Sequence, residues 1–248
     1  MKAFKSRLVA LVVIIALGAG FLAAMPAVHA QDAEDGDQFP VNLRFLNAMT
    51  TIDKIDVYIN DDEQEQRVAE GLEYGVVSEV YSGTAPITAV IIKQNVNNGF
   101  DSYLYQIVVP TEAGKDYLII VSDLLIIPTE MDLSAIDGDQ ARVRAVNAAA
   151  QSPALDFYVT RASEGTVLGD LSPIVTDIRF GQATDAGTVP AASYDVSATA
   201  TGTDTMAVES NGLAMDAGQS YTLVVIGKPG DTDTPLTIVP VGAAAAAE

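Results

Sequence analysis

An internal repeat is the sequence feature that most constrains the fold of this chain. Residues 41–60 align without a gap to residues 141–160, at an offset of 100. The identical pairs are Arg44 and Arg144, Asn47 and Asn147, Ala48 and Ala148, Asp56 and Asp156, and Tyr58 and Tyr158. Residues 113–117 match 217–221 at an offset of 104, and residues 124–128 match 236–240 at an offset of 112. Such steps are typical of insertions in loops between preserved strands. We therefore predict two copies of one domain, at 40–128 and 140–241, joined by residues 129–139.

Hydrophobic residues within each copy recur with a period of two, which is the period of a β-strand. Ile55, Val57 and Ile59 alternate with polar residues in copy one, and Leu155, Phe157 and Val159 do so in copy two. Alternation predicts that these six side chains point into a core. Short strands between turn-forming residues then indicate an all-β fold, namely two tandem antiparallel β-sandwich domains.

The first thirty residues have the pattern of a secretory signal peptide. Lys2, Lys5 and Arg7 precede an apolar run at 8–25, and small residues stand before a cleavage site that follows Ala30. We expect residues 1–30 to be removed, which leaves an acidic linker at 31–39 and an alanine-rich tail at 242–248. An uncleaved membrane anchor is the alternative, because the apolar run approaches the length of a spanning helix.

Composition narrows the range of functions. Without residues 1–30 the chain has 10 basic and 33 acidic residues, a formal charge of −23, which disfavours nucleic acid and anionic membrane surfaces as partners. Cysteine is absent, and the one histidine, His29, belongs to the signal segment. The common catalytic triads and typical zinc or copper sites therefore lack their residues. We predict no enzymatic activity; a carboxylate-dependent hydrolase is the remaining catalytic alternative, for which no acid pair stands out.

Two charged pairs recur in both copies and are the candidate site residues. Arg44 and Asp56 are twelve residues apart, as are Arg144 and Asp156. On adjacent strands of one sheet, each pair would form a cross-strand salt bridge on the outer face. Such a bridge would either specify the fold or clamp a ligand, and the sequence favours the structural role.

Acidic turns leave weak calcium binding open as the one cofactor role. They occur at 60–63, 137–139 and 231–233, and none has the twelve-residue EF-hand pattern. Solvated loops have the same composition. We therefore predict no tightly bound cofactor.

The repeated blocks closely resemble a bacterial family, the domain of unknown function 4397. Ala141-Arg-Val-Arg-Ala-Val-Asn-Ala148 and Ser152-Pro-Ala-Leu-Asp-Phe-Tyr-Val159 match its opening signature, and copy one adds Leu72-Glu-Tyr-Gly75 with Ser78. The resemblance implies a tandem pair of exported immunoglobulin-like or transthyretin-like sandwiches, and implies no activity. The chain departs from the family at Asn47 and Asn147, where members usually have histidine, and copy two shows Ser172-Pro173 near the place of the Tyr-Gly pair.

The function favoured by these observations is that of an exported, non-catalytic module, structural or ligand-binding, at or beyond the cell surface. Its partner would be an extracellular ligand or a component of the cell envelope, with no membrane insertion after cleavage. The alternative is a solute- or polysaccharide-binding protein that uses the loops at the sheet ends.

Overall fold

Sixteen β-strands make up the regular structure of the chain, in a computed structural model that describes residues 40–61, 64–85, 87, 89–94, 102–162 and 171–244. The predicted signal peptide, the whole acidic linker and the end of the alanine-rich tail lie outside these residues. Copy one contains β1 Pro40–Ala48, β2 Lys54–Asp61, β3 Gln64–Glu73, β4 Tyr81–Thr84, β5 Ala89–Gln94, β6 Ser102–Ile107, β7 Asp116–Ser122 and β8 Ile126–Met131. Copy two contains β9 Gln140–Asn147, β10 Leu155–Arg161, β11 Val175–Ile178, β12 Gly187–Pro190, β13 Ala192–Ala200, β14 Met206–Met215, β15 Gln219–Ile226 and β16 Thr237–Ala244.

Each copy is a sandwich of two four-stranded sheets, and the two copies share one topology. The sheets of copy one have the orders β4-β1-β7-β8 and β3-β2-β5-β6, and those of copy two have β12-β9-β15-β16 and β11-β10-β13-β14. The all-β sandwich prediction is confirmed. Two of the four sheets are mixed rather than antiparallel throughout, because β1 pairs with β7, and β9 with β15, in parallel.

The sandwich cores contain the side chains that the alternation predicts. Ile55, Val57 and Ile59 are fully buried in the core of copy one. Leu155 and Phe157 are fully buried in the core of copy two, and Val159 packs against it while partly exposed. Period-two alternation therefore identified the inner face of β2 and β10 correctly.

A third hydrophobic core joins the two copies. It is formed by the other faces of the sheets that contain the parallel pairs, so that their central strands are buried on both sides. Copy one contributes Leu46, Ala48, Leu118, Ile120, Ile127 and Met131, and copy two contributes Val146, Ala148, Val224, Ile226, Val241 and Ala243. The described residues of 40–244 consequently form one compact unit in which four sheets are stacked.

The segment between the copies is short and is held by arginine. β8 ends at Met131 and β9 begins at Gln140, so strand structure occupies the first residues of the predicted linker. The guanidinium of Arg142 donates hydrogen bonds to the carbonyl oxygens of Asp132 and Ser134, both at 2.9 Å, and contacts the Asp132 carboxylate at 3.3 Å. The connection is therefore fixed to copy two. No helix among the described residues is long and apolar enough to span a membrane.

Candidate functional site

The predicted Arg–Asp pairs do not form. Arg44 lies on β1 and Asp56 on β2, and these strands belong to different sheets of the sandwich. Arg44 shares its face of β1 with Leu46, toward the core between the copies, whereas Asp56 lies on the opposite, outer side. Arg144 and Asp156 are separated in the same way. The spacing of twelve residues places the partners on consecutive strands, but consecutive strands here cross from one sheet to the other.

The two arginines instead serve the junction between the copies. Nη1 of Arg144 donates a 2.7 Å hydrogen bond to the carbonyl oxygen of Glu130, which belongs to β8 of copy one. Nη1 of Arg44 lies 3.5 Å from the sulfur of Met131 and 3.7 Å from the carboxylate of Asp116. An arginine at this position of each copy therefore borders the shared core.

The two aspartates stabilise a bulge in the outer sheet of each copy. Oδ1 of Asp56 accepts a 2.6 Å hydrogen bond from the amide of Gly71, and Oδ1 of Asp156 accepts one of 2.8 Å from the amide of Asp177. Gly71 and Asp177 both have positive φ, at 58° and 56°, where the strand register shifts. A bulge leaves a backbone amide without its ladder partner, and the carboxylate supplies the acceptor.

Asp156 also fixes the turn that follows β13. It accepts hydrogen bonds from the Thr201 hydroxyl at 2.9 Å and from the Gly202 amide at 3.0 Å. Burial raises the pKa of Asp156, but the hydrogen bonds from Gly202, Asp177 and Thr201 outweigh burial and hold the pKa below its ordinary value. This carboxylate is charged, buried and fully engaged, so its role is structural.

Asn47 and Asn147 are buried hydrogen-bonding centres at equivalent positions. The amide nitrogen of Asn47 donates to the carbonyl of Leu72 at 3.0 Å, and its Oδ1 accepts from the amide of Met49. Asn147 repeats this with Ile178 at 3.0 Å and Ala149 at 3.1 Å. Both side chains have an exposed fraction of 0%. The position where the family usually has histidine is therefore a core position that ties loops to strands in this chain.

The second family block is present in copy two, at a place different from the predicted one. The amide of Gly75 donates to the carbonyl of Asn47 at 2.7 Å, and the amide of Gly181 donates to that of Asn147 at 2.8 Å. Phe180-Gly181 thus replaces Tyr74-Gly75, at an offset of 106, and the assignment to Ser172-Pro173 is wrong. Only the glycine, which has positive φ in both copies, carried a sequence signal.

A cluster of tyrosine and lysine occupies the outer face of sheet β3-β2-β5-β6. Nζ of Lys93 lies 3.9 Å from the ring centroid of Tyr58 and 4.7 Å from that of Tyr103. Lys93 forms a salt bridge with Glu65, which also accepts a 3.1 Å hydrogen bond from the hydroxyl of Tyr103. These four residues, with Gln106, an exposed residue of β6 that pairs with Ile91 of β5, are called the tyrosine–lysine face.

The cluster is held rigid while one ring stays open to solvent. Burial alone would lower the pKa of Lys93, but the hydrogen bond and charge of Glu65 raise it above its ordinary value, with the two tyrosines adding to the effect. The lysine side chain is 11% exposed, whereas Tyr103 is 63% exposed. A charged, cation–π-bonded lysine therefore supports an exposed aromatic ring.

Copy two lacks this cluster at the equivalent positions. Strand pairing places Thr199 where copy one has Lys93, and Met206 where it has Tyr103. Tyr158, the counterpart of Tyr58, is buried. The tyrosine–lysine face is thus a feature of copy one. A comparison of the two repeats cannot reveal this face, because copy two has different residues at the equivalent positions.

A groove in copy two and the acidic turn at Asp231 are the other places considered as ligand sites. A shallow groove of about 440 Å³ lies at the edge of copy two, between β11 and the segment 182–185. The acidic turn at Asp231 directs its carboxylate to its own chain, since Oδ1 accepts bonds from the amides of Asp233 and Thr234. Among the described residues, no three acidic side chains come close enough together to hold a metal ion.

The fold and these sites define a class of protein, an all-β chain of two stacked sandwiches that share one strand topology. The sequence model of the family described as Domain of unknown function (DUF4397) matches residues 41–158, from β1 through β10. This match supports membership of the family. A comparison with curated proteins gave no significant match.

Two solved structures are similar to this chain at low identity. One is the carbohydrate-binding module CBMbc (family CBM26) of Amy13K from Eubacterium rectale, in complex with maltoheptaose, with 12% identity and a TM-score of 0.26. The match covers 85% of this chain and 99% of the module. The other is a cell adhesion protein, named as putative, from Bacteroides eggerthii, with 9% identity, a TM-score of 0.23, and coverage of 85% and 97%.

Proposed function

We propose that this protein is an exported, non-catalytic binding module that recognises its ligand on the tyrosine–lysine face. The observation that carries the proposal is Tyr103, an exposed ring whose hydroxyl and inner side are both held by neighbouring residues. Tyrosine is enriched at recognition surfaces because its ring offers large contact area at a low cost in conformational entropy. Holding the ring before binding reduces that cost further.

The proposal includes the tandem organisation and the location of the protein. Copy two is a second, diverged member of the same family, whose role is to complete the core between the copies. Export rests on the basic start, apolar run and cleavage pattern at 1–30, and it places the ligand at or beyond the cell surface. Mass spectrometry of the exported protein should give Gln31 as its first residue; an intact apolar segment would contradict export in soluble form.

Binding without turnover is the test of the proposed function. Mature protein is screened against glycans, peptidoglycan fragments and charged polymers, and retained ligands are checked for chemical change. We expect one ligand class to bind unaltered, and Tyr103→Ala to weaken that binding. The matched control is Met206→Ala at the equivalent position of copy two, which should bind like the parent. Release of a product, or equal binding by both variants and the parent, would refute the proposal.

A second candidate is binding of a small solute in the groove at β11. Its supporting observation is the concave shape of that groove. Thr176→Trp would fill the groove from an exposed strand position. Loss of binding in this variant, with Tyr103→Ala unaffected, would favour the groove over the tyrosine–lysine face.

A further inference from the structure

We propose that the tyrosine–lysine face binds a neutral polysaccharide chain. This inference rests on the proposed function and adds the chemical class of the ligand. It follows from three properties of the face: its aromatic ring, its cancelled charges and its flat shape.

The ring of Tyr103 sets the kind of surface that the ligand must offer. Nζ of Lys93 occupies one side of this ring, so the exposed fraction of 63% belongs to the other side and the edge. An exposed aromatic face attracts flat apolar groups that carry polar groups at their rim. The C–H faces of pyranose rings have this character, and their hydroxyl groups would meet the Glu65 carboxylate and the Gln106 amide.

The charges of the face disfavour an ionic ligand of either sign. Lys93 and Glu65 neutralise each other in a direct salt bridge, so neither offers an unbalanced charge. An anionic polymer would in addition approach a mature chain of formal charge −23. A cationic ligand would need a free aromatic face near the Glu65 carboxylate, but the lysine ammonium already occupies the cation position over both rings. A neutral ligand has neither penalty.

The shape of the face favours a chain over a small molecule. Tyr58 and Tyr103 lie on β2 and β6, which are separated by β5 in the sheet order. Nζ of Lys93 lies 3.9 Å from one ring centroid and 4.7 Å from the other, so the two rings flank one ammonium group and form an extended surface. Small solutes bind in concave sites that enclose most of their surface, and a sheet face encloses little.

Native affinity electrophoresis of the mature chain, residues 31–248, tests the inference, because a protein this acidic migrates readily toward the anode. The gels contain soluble starch, glucomannan or a soluble β-glucan as neutral polymers, alginate or polygalacturonate as acidic polymers, and polylysine as a cationic one. We expect retardation by at least one neutral polymer, unchanged between about 0.05 and 0.5 M NaCl, because binding without ion pairing is insensitive to screening.

Variants connect this retardation to the face. Tyr103→Ala should weaken the association by about tenfold or more, because the contact area of the ring is lost. Tyr103→Phe keeps the ring and should stay within about threefold of the parent, and Met206→Ala should be unchanged. Circular dichroism spectra that match the parent confirm that each variant is folded.

Different results would overturn different claims. Retardation only by acidic or cationic polymers, or retardation abolished by salt, would overturn the neutral polysaccharide while a loss in Tyr103→Ala would still support the face. Retardation by a neutral polymer that Tyr103→Ala retains in full would overturn both this inference and the proposed binding surface. A lack of retardation by every neutral polymer also overturns the inference.

Discussion

Truncating one side chain in the core between the copies should destabilise the whole chain as a single unit. Leu118 lies on β7, is fully buried, and faces copy two rather than the core of its own sandwich. Leu118→Ala removes three carbon atoms, worth about 2.4 kcal/mol at about 0.8 kcal/mol each, and leaves a cavity between two sheets. We expect a total loss of about 3–4 kcal/mol, within the range for buried leucine.

Differential scanning calorimetry of the mature chain measures this effect. The parent should unfold in one transition, since one face of the central strands is covered by the other copy, and Leu118→Ala should lower its Tm by about 6–16 °C. Leu124→Ala is the matched control, because Leu124 is 66% exposed and should leave Tm nearly unchanged. Two separate transitions, of which Leu118→Ala moves only one, would refute the shared core.

Hydrogen exchange gives a second measurement of the same coupling. Phe157→Ala empties part of the core of copy two and should cost about 3–5 kcal/mol. If the copies unfold together, amides in β7 of copy one lose protection in this variant by the same free energy as those in β10. Unchanged protection in β7 would contradict the coupling.

Other outcomes can be checked by urea unfolding of single and double variants. Asp156→Ala should cost about 1–3 kcal/mol by leaving two backbone amides without acceptors. Because the pKa of Asp156 is lowered on folding, its contribution is present above about pH 3.9 and is lost as pH falls through the folded pKa, so the variant should show a weaker acid dependence. The losses of unfolding free energy caused by Arg144→Ala and Asp156→Ala should add in the double variant to within about 0.5 kcal/mol. A larger coupling energy would show that the two side chains interact. Asn147→Ala should cost about 2–3 kcal/mol through its buried partners, and a loss below about 0.5 kcal/mol would contradict that role. Asp177→Gly should be neutral or should stabilise by up to about 1 kcal/mol, since glycine accepts positive φ without strain; a clear loss would show that its side chain matters.

The sequence predicted the inner faces of the sandwiches because alternation is a local property. It also contained a signal for the core between the copies, since Tyr117 to Val121 is an unbroken apolar run rather than an alternating one. Such a run is typical of a strand that is buried on both faces. The partner of that second face could not be derived, because nothing local tells which sheet will cover it.

The Arg–Asp pairing failed for a related reason. Equal spacing in both copies indicated that Arg44 and Asp56 each keep a role, but it did not show that the two residues contact each other. One residue borders the junction between the copies and the other caps a bulge on the opposite side. The tyrosine–lysine face was missed because Lys93 and Tyr103 come together through β5–β6 pairing and have no counterpart in the repeat.

The apolar face that each copy turns toward the other has a consequence for how such a protein can arise. A single copy would expose this apolar face to water and would tend to associate through it, and a second copy of the same domain can bury it. The two copies in one chain are therefore comparable to a dimer whose subunits are covalently linked, so that their association does not depend on protein concentration. A linker of eight residues, 132–139, keeps the local concentration of that partner high even when the protein is dilute. The outer face of copy two can therefore diverge, whereas its two buried faces cannot.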